Sequence, residues 1–216
     1  MLIANPLPST ITTSIANVTN GQIQLSTTVP AGMSGIVIHN YGNGLSAISH
    51  ATVSQGNNLA SLQPYRTILH ENIPNIQTEA QKGDKVIFGN FYNNALIIAP
   101  NQKVYRTISE NYTKTWVHPD AYALDFMKEG SSYLTLDSIK KFAQLNQVGL
   151  VLIVTQNNVL ILDPISKQFL GKFPMTLNQQ DAMAPFYARF EQMDTSTFGF
   201  SNNTYVPYFQ SVAGLK

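Results

Sequence analysis

The residues of this 216-residue chain that could do chemistry are few and scattered. Its histidines are His39, His50, His70 and His118, and no two stand at i,i+2 or i,i+4. Those are the spacings that turn paired imidazoles toward one metal ion. Only a hairpin turning at Gly42–Gly44 could bring His39 and His50 together, and a cross-strand pair is the expectation there, not a metal site. "GMSG" at Gly32–Gly35 is one residue short of the G-x-S-x-G nucleophile elbow and opens a strand, whereas the elbow needs a strand-to-helix turn. Ser34 is therefore read as part of a turn that requires glycines. Asp84, Asp120, Asp125, Asp137 and Asp163 stand singly where turns and helix caps fall, and no phosphate-cradling glycine motif occurs. The chain has no cysteine, which removes thiol catalysis, disulfides and thiolate-held zinc together. The expectation is a protein that is not an enzyme and holds no metal or cofactor.

The densest stretch is "ALIIAPNQKVYRTISENYTKTWVHPD", Ala95 to Asp120. Its end, His118-Pro119-Asp120, has the grammar of a helix start. Proline suits the first helical position, and an acidic side chain in the first turn faces free backbone amides. We assign Trp116, His118, Pro119 and Asp120 structural roles, with Trp116 buried beneath the helix near the junction of two halves of the chain.

Those halves differ in pattern. From Ile11 to Pro100 the sequence reads as strands. "TTSIANVTNGQIQLSTTV" alternates around Asn20-Gly21, a strong hairpin signal because both residues tolerate positive φ. Further turns fall at Gly42-Asn43-Gly44, Gly56-Asn57-Asn58 and Asn93-Asn94, and Gly83-Asp84-Lys85 feeds "VIFGNF". Short strands at this spacing predict an antiparallel barrel-like domain over 1–100. From 101 to 216 we expect an α+β module, with two to three helices packed on a small antiparallel sheet and an irregular C-terminal segment. "NQKVYRTISENY" puts Val104 and Ile108 on one helical face, with Tyr112 following and Tyr105 beside them. "HPDAYALDFMKEG" runs from Pro119 to a stop at Gly130. "TLDSIKKFAQLNQVG" offers Thr135 as cap, an apolar face of Leu136, Ile139, Phe142, Ala143 and Leu145, and Gly149 as stop. "LVLIVTQNNVLILDP" reads as a buried hairpin, and "QFLGKFPM" and "PFYARF" as two more strands.

Charged residues are 12% of the chain against the usual quarter or so. Solubility rests on neutral polar groups, among them 20 Asn and 15 Gln. With 13 basic and 12 acidic residues and no Lys/Arg run longer than Lys140-Lys141, the clustered cations that displace counterions from phosphates are missing, so nucleic acid is rejected as a partner. No segment approaches the roughly 20 apolar residues of a membrane span. The start "MLIANPLPST" has no basic n-region and reaches Pro6 too early for a signal peptide, so any leader is expected to be removed or absent from this sequence.

Several segments together carry a family resemblance: "AGMSGIVIH", "KGDKVIFGNFYNNALIIAPNQKVYRTI", "WVHPDAYA", "VGLVLIVTQNNVLILDP" and "PFYARF". In order and spacing, from about Ile15 to Phe190, they resemble the N-terminal domain of bacterial plasminogen-binding surface proteins of the PgbA type. The resemblance implies an exported, envelope-associated protein, in the periplasm or on the outer surface, that captures host plasminogen. Lysine capture by plasminogen needs an exposed lysine whose ammonium is accompanied by a carboxylate. The family presents it on a long Lys-rich tail, which "EQMDTSTFGFSNNTYVPYFQSVAGLK" does not resemble. Lys216, ending the chain as given, is the residue that supplies both groups; Lys82, Lys140 and Lys172 supply the cation alone. The alternative is a periplasmic scaffold, since the β half is also similar to small barrels around flagellar motors. An amide-rich surface suits lateral protein contacts.

Overall fold

In a computed structural model, residues 5–65, 78–177, 182–190 and 205–215 are described. His70, Lys216 and most of the segment after Phe190 lie outside the described residues. The chain divides into two compact units, Pro8–Asn90 and a second built from Phe91 onward.

The first unit is a closed barrel. Its strands are β1 (Ile11–Thr19), β2 (Gln22–Leu25), β3 (Ser34–Gly42), β4 (Leu45–Gly56), β5 (Leu59–Pro64) and β6 (Lys85–Phe88). They close in the order β1-β2-β5-β4-β3-β6, every pairing antiparallel. The hairpin at Asn20-Gly21 has φ of 47° and 76°, the left-handed backbone that predicted it. Closure needs Gly35. A Cβ there would stand 2.5 Å from the carbonyl oxygen of Ile87 and 2.9 Å from Cα of Phe88, so only glycine lets β3 and β6 approach. That is the physical meaning of the "GMSG" stretch. Ile15, Ile23, Leu25, Val37, Val86 and Phe88 fill the interior, all but sealed from solvent.

The second unit is α+β. Its elements are β7 (Asn94–Ile98), α1 (Gln102–Asn111), β8 (Thr115–Val117), α2 (Pro119–Lys128), α3 (Leu136–Asn146), β9 (Leu150–Val154), β10 (Asn158–Asp163), β11 (Gln168–Pro174) and the short α4 (Tyr208–Ala213). The sheet order is β11-β10-β9-β7-β8. The antiparallel part, β9-β10-β11, is the hairpin and strand read from the sequence. The sheet is wider than that reading, because β7 pairs in parallel with both β8 and β9. Ala95–Ile98 are all buried, the near-continuous apolar run of a strand covered on both faces rather than the alternation of a barrel strand.

Caps set the helix starts. Asn101 accepts the amide of Val104, and Thr135 forms a capping box with Ser138. On α3 the apolar face narrows to Ile139, Phe142 and Ala143, while Leu145 is 70% exposed. Gly149 does not stop α3. Gln147 takes the left-handed turn, and Gly149 is needed because a Cβ there would lie 2.3 Å from the carbonyl carbon of Phe91. "PFYARF" is not a strand but an irregular strap entered through a cis Ala184–Pro185 bond, and α4 forms in a segment expected to be irregular. Tyr122, Phe126, Phe142, Phe186 and Tyr208 pack with Leu96, Ile98, Val151 and Ile153 on one sheet face.

Candidate functional site

Among the described residues, a connected set of polar and aromatic side chains is built on His118-Pro119-Asp120. The chain leaves β8, and Pro119 begins α2 with its fixed φ. His118 is the cap, its Nδ1 accepting the amide of Asp120 at 3.2 Å. Asp120 does not turn to the helix amides as the sequence suggested; it reaches the strap. One oxygen accepts the backbone N–H of Arg189 at 2.8 Å and the other accepts Nε at 2.6 Å. The His118 ring lies between Tyr105 and Tyr187, with centroids 5.3 and 6.3 Å away, and the two tyrosines meet at 5.7 Å. Nδ1 of His118 also stands 3.1 Å from Oδ1 of Asp120.

The charges follow from this crowding. Burial pushes the His118 imidazole down, the Arg189 charge adds to that, and the Asp120 carboxylate opposes it without prevailing. At Asp120 burial works against ionisation, but the backbone and side-chain hydrogen bonds from Arg189, with its charge and that of His118, hold the carboxyl below its ordinary value. Tyr105 is pushed up, chiefly by burial and then by Tyr187.

Beside this cluster lies the carboxyl end of β7, the strand between β8 and β9. The chain leaves β7 toward β8 by one crossover and returns to the other side of β7, at β9, by a second. Right-handed crossovers in opposite directions place their helices on opposite faces. In open α/β sheets the crevice at such a reversal is the usual ligand position. At the carboxyl ends of β7 and β9 protein groups hold the strand carbonyls. The Tyr208 hydroxyl meets the carbonyl oxygens of Ile98 and Val154, the last residues of β7 and β9, at 2.9 and 2.6 Å. The strap donates N–H groups from Met183 to Pro100 and from Tyr187 to Ala99. Phe186 enters the core, stacked on Tyr122 at 5.2 Å.

Trp116, expected in the core, is half-buried, and its Nε1 donates to the carbonyl of Ser109 at 3.1 Å. A three-residue strand at the sheet edge leaves one side of its ring to solvent. Tyr187 and Arg189 escaped the sequence reading. The signal was present, since Pro185 and three aromatics in "PFYARF" mark an ordered segment, but nothing local tells an arginine that it will meet Asp120, 69 positions away.

In the barrel, His39 and His50 do lie on paired strands, with Val37 opposite His50 and Ala47 opposite His39. His39 is committed elsewhere: its Nδ1 is 2.8 Å from Oδ1 of Asp84, whose other oxygen accepts the amide of Gln81. This His–carboxylate pair has Tyr41 edge-on at 4.8 Å. Among the described residues, no group of three or more His, Asp or Glu could hold a metal ion. Asp163 is a buried turn residue: it accepts the Tyr92 hydroxyl at 2.8 Å and the amides of Ile165 and Ser166. Asp137 pairs with Lys167 at the surface. A hollow of about 460 Å³ beside Tyr133, Thr135 and Gln210 is lined, among the described residues, by no acid, histidine or lysine. Lys82 and Lys172 are exposed, and Lys140 is half-buried. No described helix is long and apolar enough to cross a membrane.

Residues 10–213 match the family described as plasminogen-binding protein PgbA, N-terminal. Over 160 residues, 73% of this chain, the sequence is 28% identical to the plasminogen-binding protein PgbA of Helicobacter pylori strain J99, and equally to that of strain 26695. The matched part is 35% of those proteins, so the chain spans about a third of the curated relatives it matches. No solved structure matches this chain significantly.

Proposed function

Since this chain belongs to the family of PgbA N-terminal domains, we propose that it is a non-catalytic domain of a bacterial envelope or surface protein that takes part in capturing host plasminogen. The observation that carries the reading is the family match, which runs through both units and breaks at neither. The Tyr208 hydroxyl and the strap engage the backbone at the carboxyl ends of β7 and β9, a packing role in keeping with the non-catalytic part.

In the chain as given, Lys216 is our proposed plasminogen contact. A lysine-binding kringle pocket selects an ammonium and a carboxylate held at fixed separation, a pair that a lysine presents wherever it is C-terminal. Exposed Lys82 and Lys172 offer the ammonium alone. The test is binding of the intact chain to immobilised plasminogen, with and without Lys216 and with a free lysine analogue as competitor. Loss of most binding on deletion, and competition by the analogue, support the assignment. Unchanged binding after deletion moves the contact to the folded surface. No binding by the intact chain means that the relatives' activity belongs to the two thirds of their length outside the match, and cell fractionation then tests the periplasmic scaffold role.

A further inference from the structure

The hydrogen-bond arithmetic around His118 leaves one lone pair with two incompatible tasks. As the cap of α2, Nδ1 must be an acceptor, because it receives the Asp120 amide at 3.2 Å. As a neighbour of Oδ1 at 3.1 Å it would have to be a donor. Only the neutral imidazole with its proton on Nε2 can cap; the doubly protonated ring cannot. The same carboxylate holds the strap through the backbone and Nε of Arg189.

We propose that His118 is a proton-operated latch for the strap: neutral, it caps α2 and leaves Asp120 to Arg189; protonated, it gives up the cap, turns to Asp120 and frees Arg189. Every group facing the ring bears on this. Asp120 comes from its own helix, Tyr105 from α1, and Tyr187 and Arg189 from the strap. Arg189 and the imidazolium are two cations at one carboxylate, so docking of one disfavours the other, and the antagonism is reciprocal. The anchor of the strap is unaffected, since Phe186 lies in the core with Tyr122 and Phe126. Ala188 and Phe190 also pack on that core, so what the latch releases is the Arg189 contact between them.

The direction of the pH effect follows. His118 is harder to protonate latched than free, so its stabilisation of the latched state is fully present above the ordinary histidine value of about 6.5 and is lost as pH falls below it. If the latched ring took no proton at all, the ratio of open to closed would rise by a factor of roughly 30 at pH 5. The half-buried ring, which still takes a proton when latched, will deliver less. Asp120 stays ionised in this window because Arg189 holds its carboxyl low, and Tyr105 is displaced upward, away from it.

Amide hydrogen exchange of the whole chain by NMR tests this, read as protection factors for the Arg189 amide between pH 7.5 and pH 5.0. In the native sequence these should fall several-fold on acidification, while amides of β9 stay constant. In His118→Asn, whose side chain caps a helix without titrating, the Arg189 amide should be protected, independently of pH. In Arg189→Ala the His118 ring should titrate at a higher pH than in the native chain. A change of less than twofold in the native chain overturns the proposal, as does an equal change in His118→Asn or an unmoved His118 midpoint in Arg189→Ala.

Discussion

Replacing Tyr208 with Phe removes one oxygen and tests whether the plug at the carboxyl end of β7 holds the sheet together. The ring is 1% exposed, and its hydroxyl proton is shared between two carbonyls, at 2.9 Å from Ile98 and 2.6 Å from Val154. Phenylalanine keeps the ring, its place in the core and its edge contact with Phe209, so no cavity opens. What is lost is a hydrogen bond to acceptors that stay buried at the ends of two parallel strands. Leaving buried acceptors unsatisfied costs about 1–3 kcal/mol. With a urea slope of about 2 kcal/mol/M, a loss of 2 kcal/mol lowers the midpoint by about 1 M at unchanged slope. Trp116, the sole tryptophan of the chain, belongs to the same unit, so its fluorescence reports that unit's unfolding without the barrel's. A midpoint within 0.2 M or so of the native chain's, at equal slope, would refute the reasoning and show that the hydroxyl only fills space.

Gly149→Ala should destabilise the same unit at the upper end of the roughly 1–3 kcal/mol typical of overpacking, because the added Cβ meets backbone atoms of Phe91 and Tyr92 at 2.3 to 2.7 Å. Gly171→Ala, whose nearest neighbour is Ile161 Cδ1 at 3.9 Å, is the control and should change the urea midpoint little. Trp116→Ala should cost about 1–2 kcal/mol by thermal melting, below the 3–5 kcal/mol of a core aromatic, since the side chain is half-buried and loses one hydrogen bond to Ser109.

How much of the molecule was legible depends on the range of the interactions involved. Asn20-Gly21 dictates its hairpin because the turn needs positive φ at consecutive positions, a property of the two residues alone. Pro119 and Thr135 mark their helices for the same local reason, a fixed φ and a side-chain oxygen within reach of the first turn. The change from alternating runs to helical periods after Pro100 signals two kinds of structure, but the barrel unit ends at Asn90 and β7 already belongs to the α+β sheet.

Partnership across the chain was decided only by the tertiary structure. The run Ala95–Ile98 reads as strand in any context, but its place between β8 and β9 in a second sheet depends on which surfaces cover its two faces. Gly149 reads as a helix stop until the backbone of Phe91 arrives beside it. Asp120 reads as a first-turn acid until Arg189 arrives, and Tyr208 as an ordinary aromatic until its hydroxyl meets two strand ends. Local backbone preference is written in each residue and its neighbours. Close approach and charge pairing are relations between residues tens of positions apart, and only the folded chain brings them within ångströms.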